Sequence, residues 1–166
     1  QGVMTAFPPG YLLSFLIDNA DEPMQFGSQM PTITRSRMPG ILGLGYHRVQ
    51  MTGQLSEQLA AEIDHYKSMR DTVGRASGFL IGSQVPAAGE AADGWDVIQE
   101  IADDRRSAIV FAFKANDDDG RLLIRPRNLI PDTVYDARSM DSDSLGAVSG
   151  ARLMADGLEI VHSEGP

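Results

Sequence analysis

The hydrophobic period changes once along this chain, at Gly74, and that change governs what each part can fold into. Before it, Leu59, Ile63, Tyr66, Met69 and Val73 recur at spacings of four, three, three and four, which lays one apolar stripe along a helix. After it, Trp95, Val97, Gln99 and Ile101 alternate with Asp96, Ile98 and Glu100. Ile109, Phe111 and Phe113 likewise alternate with Val110, Ala112 and Lys114, the period of strands. Two periods in separate blocks predict an α+β chain that divides near residues 74 to 78.

The punctuation around these blocks refines the prediction. Ser56 is suited to cap the long helix, Glu57 and Glu62 lie toward its positive end, and Lys67 and Arg70 lie toward its negative end. Gly74 is its natural stop. A short helix is expected within Pro31 to Leu42, with Gly40, Gly43 and Gly45 marking its end and a tight return of the backbone. Upstream, Tyr11 to Ile17 is apolar at six of seven positions and bounded by Pro8-Pro9-Gly10 and Asp18-Asn19. A short continuous apolar run of this kind predicts a strand buried on both faces, as in a parallel sheet. Downstream, Phe79 to Ile81, Leu122 to Ile124, Val134 to Ala137 and Leu158 to His162 read as further strands, with Val85 to Gly89 as a turn-rich connector. Asn116 to Gly120 predicts a hairpin turn between its flanking strands. Five or six strands so spaced predict an antiparallel β-sandwich.

The 166 residues suffice for one domain, or one domain plus a fragment of another, and fall short of the roughly 250 of a complete (β/α)8 barrel. With 23 acidic against 14 basic residues the formal charge is −9, which argues against nucleic-acid and anionic-membrane partners and is compatible with neutral carbohydrate. The absence of cysteine excludes disulfides and thiolate metal sites. It does not choose between a cytoplasmic and a secreted location. No run approaches the roughly 18 apolar residues of a membrane span, and residues 1 to 17 lack the basic start and cleavage site of a signal peptide. Gln1-Gly2-Val3 reads as a cut within a longer protein.

An ordered set of landmarks carries more. Trp95 to Gln99, Phe111-Ala112-Phe113, Leu129-Ile130-Pro131 with Tyr135, Ser149-Gly150, Leu153-Met154 and Gly157-Leu158 follow one another at a spacing that resembles the C-terminal β-sandwich of glycoside hydrolase family 36, the α-galactosidase or melibiase family. Upstream, Arg35 and Arg37, then Gly40 to Gly43, then a helix ending in His65-Tyr66-Lys67-Ser68-Met69-Arg70 match the same family in outline. The chain departs from the usual pattern at Gly45-Tyr46-His47, where many members carry an acidic residue. It departs again at Leu13 to Leu16, which lacks the usual histidine.

The resemblance implies residues 1–76 as the last strand and helices of a catalytic (β/α)8 barrel with its linking helix, and 77–166 as the sandwich. It implies hydrolysis of terminal α-galactosides with retention, by an aspartate nucleophile and an aspartate acid/base. Retention needs two carboxyl groups about 5 to 5.5 Å apart. In the family both belong to barrel strands upstream of the last one, so the resemblance implies that no catalytic residue lies in this chain and that no cofactor is required. Ser14 and Asp18 would lie at the rim of the sugar pocket.

Other constellations have plainer explanations. Asp18, Asp21 and Glu22 could be offered as glycosidase carboxylates, and a solvated loop after a strand is the simpler reading. Gly40 to Gly45 does not follow the dinucleotide-binding order, and close backbone packing explains it better. Ala115 and Pro126 occupy positions where a calcium loop needs oxygen ligands. His47, His65 and His162 are too scattered for zinc, no serine sits in a nucleophile elbow, and Trp95 at the head of a strand suits a core anchor.

Two readings from different classes therefore stand beside each other. One is the C-terminal fragment of a retaining α-galactosidase-like hydrolase acting on a galactoside or oligosaccharide, with the sandwich as structural support. The other is an independent carbohydrate-binding β-sandwich without catalysis. A third, a small enzyme complete in itself, would use Asp18 and Asp21. On the fragment reading Tyr11 to Ile17 is cut from its neighbouring strands. It is then covered by self-association into a homo-oligomer, by packing on the rest of the chain, or by the missing parts of the enzyme.

Overall fold

The computed structural model describes residues 3, 6–17, 30–45, 53–82, 94–114, 120–140 and 144–162. They form a mixed α+β architecture with antiparallel sheets following a β/α portion. Strand β1 (Leu13–Ile17), helix α1 (Met30–Arg35), strand β2 (Ile41–Gly45) and helix α2 (Gly53–Val73) come first. Then follow β3 (Ala76–Leu80), β4 (Trp95–Ala102), β5 (Ala108–Lys114), β6 (Gly120–Ile124), β7 (Val134–Arg138), β8 (Ser144–Ser149), helix α3 (Gly150–Ala155) and β9 (Leu158–His162).

β1 and β2 are parallel, in register from Leu13 opposite Ile41 to Ile17 opposite Gly45. The glycine-rich segment expected to be a simple return is thus itself a strand. Glycine serves packing here: a β-carbon on Gly43 would come within 2.6 Å of the Phe15 ring lying over it. Burial of β1 is one-sided, contrary to expectation. Leu16 is 2% exposed beneath the helices with Met30 and Leu59, while Leu13, Phe15 and Ile41 on the opposite face are 57%, 47% and 42% exposed.

Helix α2 begins three residues before Ser56, at Gly53, and ends at Val73. Its apolar stripe serves two cores. Leu59 and Ile63 pack with Leu16 and Met30, whereas Tyr66 and Met69 pack with Met38, Ile98 and Phe111. The Tyr66 hydroxyl accepts from the Leu42 amide and donates to the Gly40 carbonyl, both at 3.1 Å, which fastens the helix to the start of β2.

β3, β4 and β5 form an antiparallel sheet with β4 in the centre. Sequence alternation predicted one buried face for β4, but Val97 to Ile101 are buried without a break because both faces are covered. Ile98 lies toward α2, and Ile101 lies toward Leu129, Leu153, Tyr135 and Val148. β7 pairs with β8, and β6 pairs with β9. The expected hairpin across Asn116 to Gly120 is not formed by its flanking strands, since β5 ladders onto β4 and β6 onto β9. A turn signal specifies reversal only. The partner is chosen by apolar matching, here Leu122 with Ile160 and Ile124 with Leu158. Residues 115–119 lie outside the described residues.

The landmark residues have physical duties in this arrangement. Leu129, Leu153 and Ile101 form one buried cluster, with Tyr135 packed against it. The Tyr135 hydroxyl accepts from the Ile130 amide at 2.9 Å and donates to the Arg105 carbonyl. Ser149 caps α3 by accepting from the Arg152 amide at 3.3 Å. Gly150 follows because a β-carbon there would collide with the Ile130 carbonyl.

Candidate functional site

In parallel β/α folds the loops after the carboxyl ends of the strands hold ligands and catalytic groups. Here those ends are Ile17 and Gly45, which stand side by side in the ladder. Asp18, the residue singled out from sequence, follows directly from Ile17. Asp18, Asp21 and Glu22, with Tyr46 and His47 after β2, lie outside the described residues. Ser14 lies earlier in β1, opposite Leu42, half-buried and on the same face as Leu16. The structure therefore places Ser14 in the strand on its helix-covered side, while the position of Asp18 is defined only by its place in the chain.

The helices behind the strand ends are tied together electrostatically. Arg35 Nε and Nη2 donate to Glu62 Oε2 and Oε1, each at 2.9 Å, in a two-pronged ion pair between α1 and α2. The Glu62 side chain is only 5% exposed. Sequence reading assigned Glu62 to the helix dipole, and the signal it overlooked is spacing: Glu62 lies one turn from Leu59, just beside the buried stripe.

Two buried polar side chains on β4 also escaped the sequence reading. Gln99, fully buried, donates to the Arg127 carbonyl and accepts from the Arg127 amide, both at 2.7 Å, and so satisfies an irregular segment of backbone. Glu100, also fully buried, has no hydrogen-bond partner for either oxygen among the described residues, and burial pushes its pKa from 4.5 up to about 8. An acidic residue in an alternating strand reads as solvent-facing, and nothing in the local pattern signals otherwise. Among the described residues no group of three or more histidine, aspartate or glutamate side chains could hold a metal ion. No helix among them is long and apolar enough to cross a membrane.

No family profile and no curated protein sequence matches the chain. Solved structures do. Superposition on the family 36 α-galactosidase AgaB of Geobacillus stearothermophilus covers 95% of this chain and 21% of that one, with a TM-score of 0.71 and 17% identity. AgaA from the same organism gives 0.70 at 18% identity, covering 95% and 21%. The α-galactosidase of Lactobacillus brevis gives 0.66 at 17% identity, covering 93% and 20%. The fold resembles that of part of a family 36 α-galactosidase. The chain spans about a fifth of the length of these structures, consistent with their C-terminal part.

Proposed function

We propose that this chain is the C-terminal portion of a retaining α-galactosidase-like glycoside hydrolase. Residues 1–76 would supply the end of the catalytic barrel and 77–166 a supporting β-sandwich. The observation that carries the reading is the superposition of 95% of the chain on AgaB at a TM-score of 0.71. Two successive strand-helix units, with parallel strands covered by helices on one face and bare on the other, are what the last two units of such a barrel would look like alone. On this reading the linking helix ends at Val73, and the sandwich begins with β3 at Ala76, one residue before the boundary expected from sequence.

In the proposed enzyme the two catalytic aspartates reside in strands outside this chain. Asp18, at the carboxyl end of β1, would contact the sugar at the pocket rim, whereas Ser14, on the helix-covered side of that strand with Leu16, would support the strand from behind rather than touch the sugar. A variant of AgaA has been crystallised with stachyose and another with raffinose, which supports an oligosaccharide bearing a terminal α-galactosyl group as the substrate class of the parent enzyme. The sandwich would act mechanically, through the core that Ile98 and Phe111 share with Met38, Tyr66 and Met69.

The test is to incubate the purified chain, and separately the longer protein containing it, with an aryl α-galactoside. Hydrolysis by the longer protein and none by the chain alone is expected. Sustained turnover by the chain alone, surviving stringent purification, would sink the proposal.

A further inference from the structure

We propose that the groove beside the Arg125–Asn128 segment binds an anionic sugar, one carrying a carboxylate or a phosphate. The proposal stands independently of the barrel reading. Two contiguous hollows of about 610 and 210 Å³ share Ile81, Leu123 and Arg125 in their walls. Hollows of this size match small-ligand sites. The larger is an open depression also lined by Pro126, Arg127, Asn128 and Met154, and the smaller reaches Trp95.

Charge makes the groove unlike the rest of the molecule. In a chain of net charge −9, its walls carry two arginines and, among the described residues, no acidic side chain. Arg125 Nε donates to the Ala155 carbonyl at 3.2 Å, which fixes its fork. Neither guanidinium has a carboxylate partner among the described residues. Beyond the lining, the Lys114 ammonium sits 5.9 Å from the centre of the Trp95 ring, shielded from solvent and without a hydrogen-bond acceptor among the described residues.

The segment presenting the arginines is rigid although it belongs to no helix or strand. Fully buried Gln99 grips both backbone polar groups of Arg127, Asn128 holds a left-handed conformation at φ 60°, and Leu129 anchors the next residue in the core. Holding the backbone of this segment and the Arg125 side chain in place beforehand reduces the ordering cost of binding. Guanidinium forks match carboxylate and phosphate oxygens, and the apolar wall of Leu123, Met154 and Ile81 matches the C–H face of a sugar ring. Carboxylate and phosphate share this chemistry, and the experiment separates them.

The whole chain is titrated by calorimetry with galacturonate, with inorganic phosphate and with neutral galactose. Arg125→Ala and Arg127→Ala variants are titrated alongside, their folding checked by circular dichroism and thermal unfolding. Galacturonate is expected to bind at millimolar or tighter affinity and galactose not to bind. Either substitution should weaken binding roughly tenfold or more, the loss expected for one charge-assisted hydrogen bond. Arg127→Lys, which keeps charge and loses the fork, should fall between. Displacement of galacturonate by equal inorganic phosphate would assign the site to sugar phosphates, and persistence would assign it to sugar acids. No binding of either galacturonate or inorganic phosphate at millimolar concentration, equal binding of galactose, or affinity unchanged in both folded alanine variants would overturn the proposal.

Discussion

Glu100 offers the sharpest test of the packing described above. It occupies the central strand of the three-stranded sheet, on the face it shares with Ile98, toward α2. Across the ladder it meets Gly78, which has no side chain, and Ile109, which has no polar atom beyond its backbone. Tyr66, packed against the cluster that contains Ile98, has its hydroxyl committed to Gly40 and Leu42. Neither carboxyl oxygen finds a donor among the described residues, and desolvation raises the pKa from 4.5 to about 8.

The sign of the pH dependence follows. Below pH 4.5 the group is neutral in both folded and unfolded chains, and its contribution to stability is fully present. Between pH 4.5 and about 8 the unfolded chain releases the proton and the folded chain keeps it. Stability then falls by about 1.4 kcal/mol per pH unit, reaching a loss of about 3 kcal/mol near pH 7 and levelling off at about 5 kcal/mol. Glu100→Gln keeps the size and the unpaired polar group but cannot ionise. Urea unfolding of both proteins across this range should show the variant gaining on the parent at that slope, and the comparison cancels titrations common to both. A stability difference flat with pH would refute the reasoning, because it would mean that the carboxyl group ionises at its ordinary pKa.

Arg35→Ala should destabilise the chain by roughly 3 kcal/mol in the same assay, because it strands the nearly buried Glu62 without its counter-charge. Exchanging both partners for apolar residues should cost far less. Tyr66→Phe keeps the ring and removes the bridge to Gly40 and Leu42; a loss of about 1 kcal/mol is expected, with early amide exchange at Leu42 by NMR. Phe15→Lys places charge on the bare face of β1 and should shift any concentration-dependent association toward monomer in sedimentation velocity, with little change in unfolding.

What the sequence disclosed and what it concealed divide by the range of the forces involved. The α2 stripe from Leu59 to Val73 was legible because helical periodicity is local, and the antiparallel strands after Gly74 were legible because alternation is local. β2 was hidden because Gly40 before it and Gly43 and Gly45 within it suggest a turn, and its strand conformation depends on β1 lying beside it and on Phe15 covering Gly43. β8 and α3 were hidden in a run of small residues whose structure depends on the Tyr135 and Ile130 neighbourhood. Glu100 reads as the solvent side of an alternating strand because its burial depends on α2, and Gln99 reads as a polar break in the opposite side because its partner is the distant Arg127 segment. For the candidate site, the sequence located the carboxyl end of β1 at Asp18, and the ladder adds that the end of β2 stands beside it.

The boundary near Gly74 separates two periodicities without separating two cores. Met38, Leu12, Tyr66 and Met69 precede it, Ile98, Phe111 and Phe113 follow it, and all belong to one packed cluster. Removing the antiparallel portion would uncover the Tyr66–Met69 half of the α2 stripe while leaving the Leu59–Ile63 half packed on β1. A helix so exposed should fray from its carboxyl end, and the fraying would reach the Tyr66 hydroxyl that fastens β2. Cutting at the boundary should therefore loosen β2 in the remaining 1–76 piece, detectable as loss of amide protection at Leu42. If Leu42 stays protected in that piece, the antiparallel portion is an appendage, and its role as a support for the strands fails.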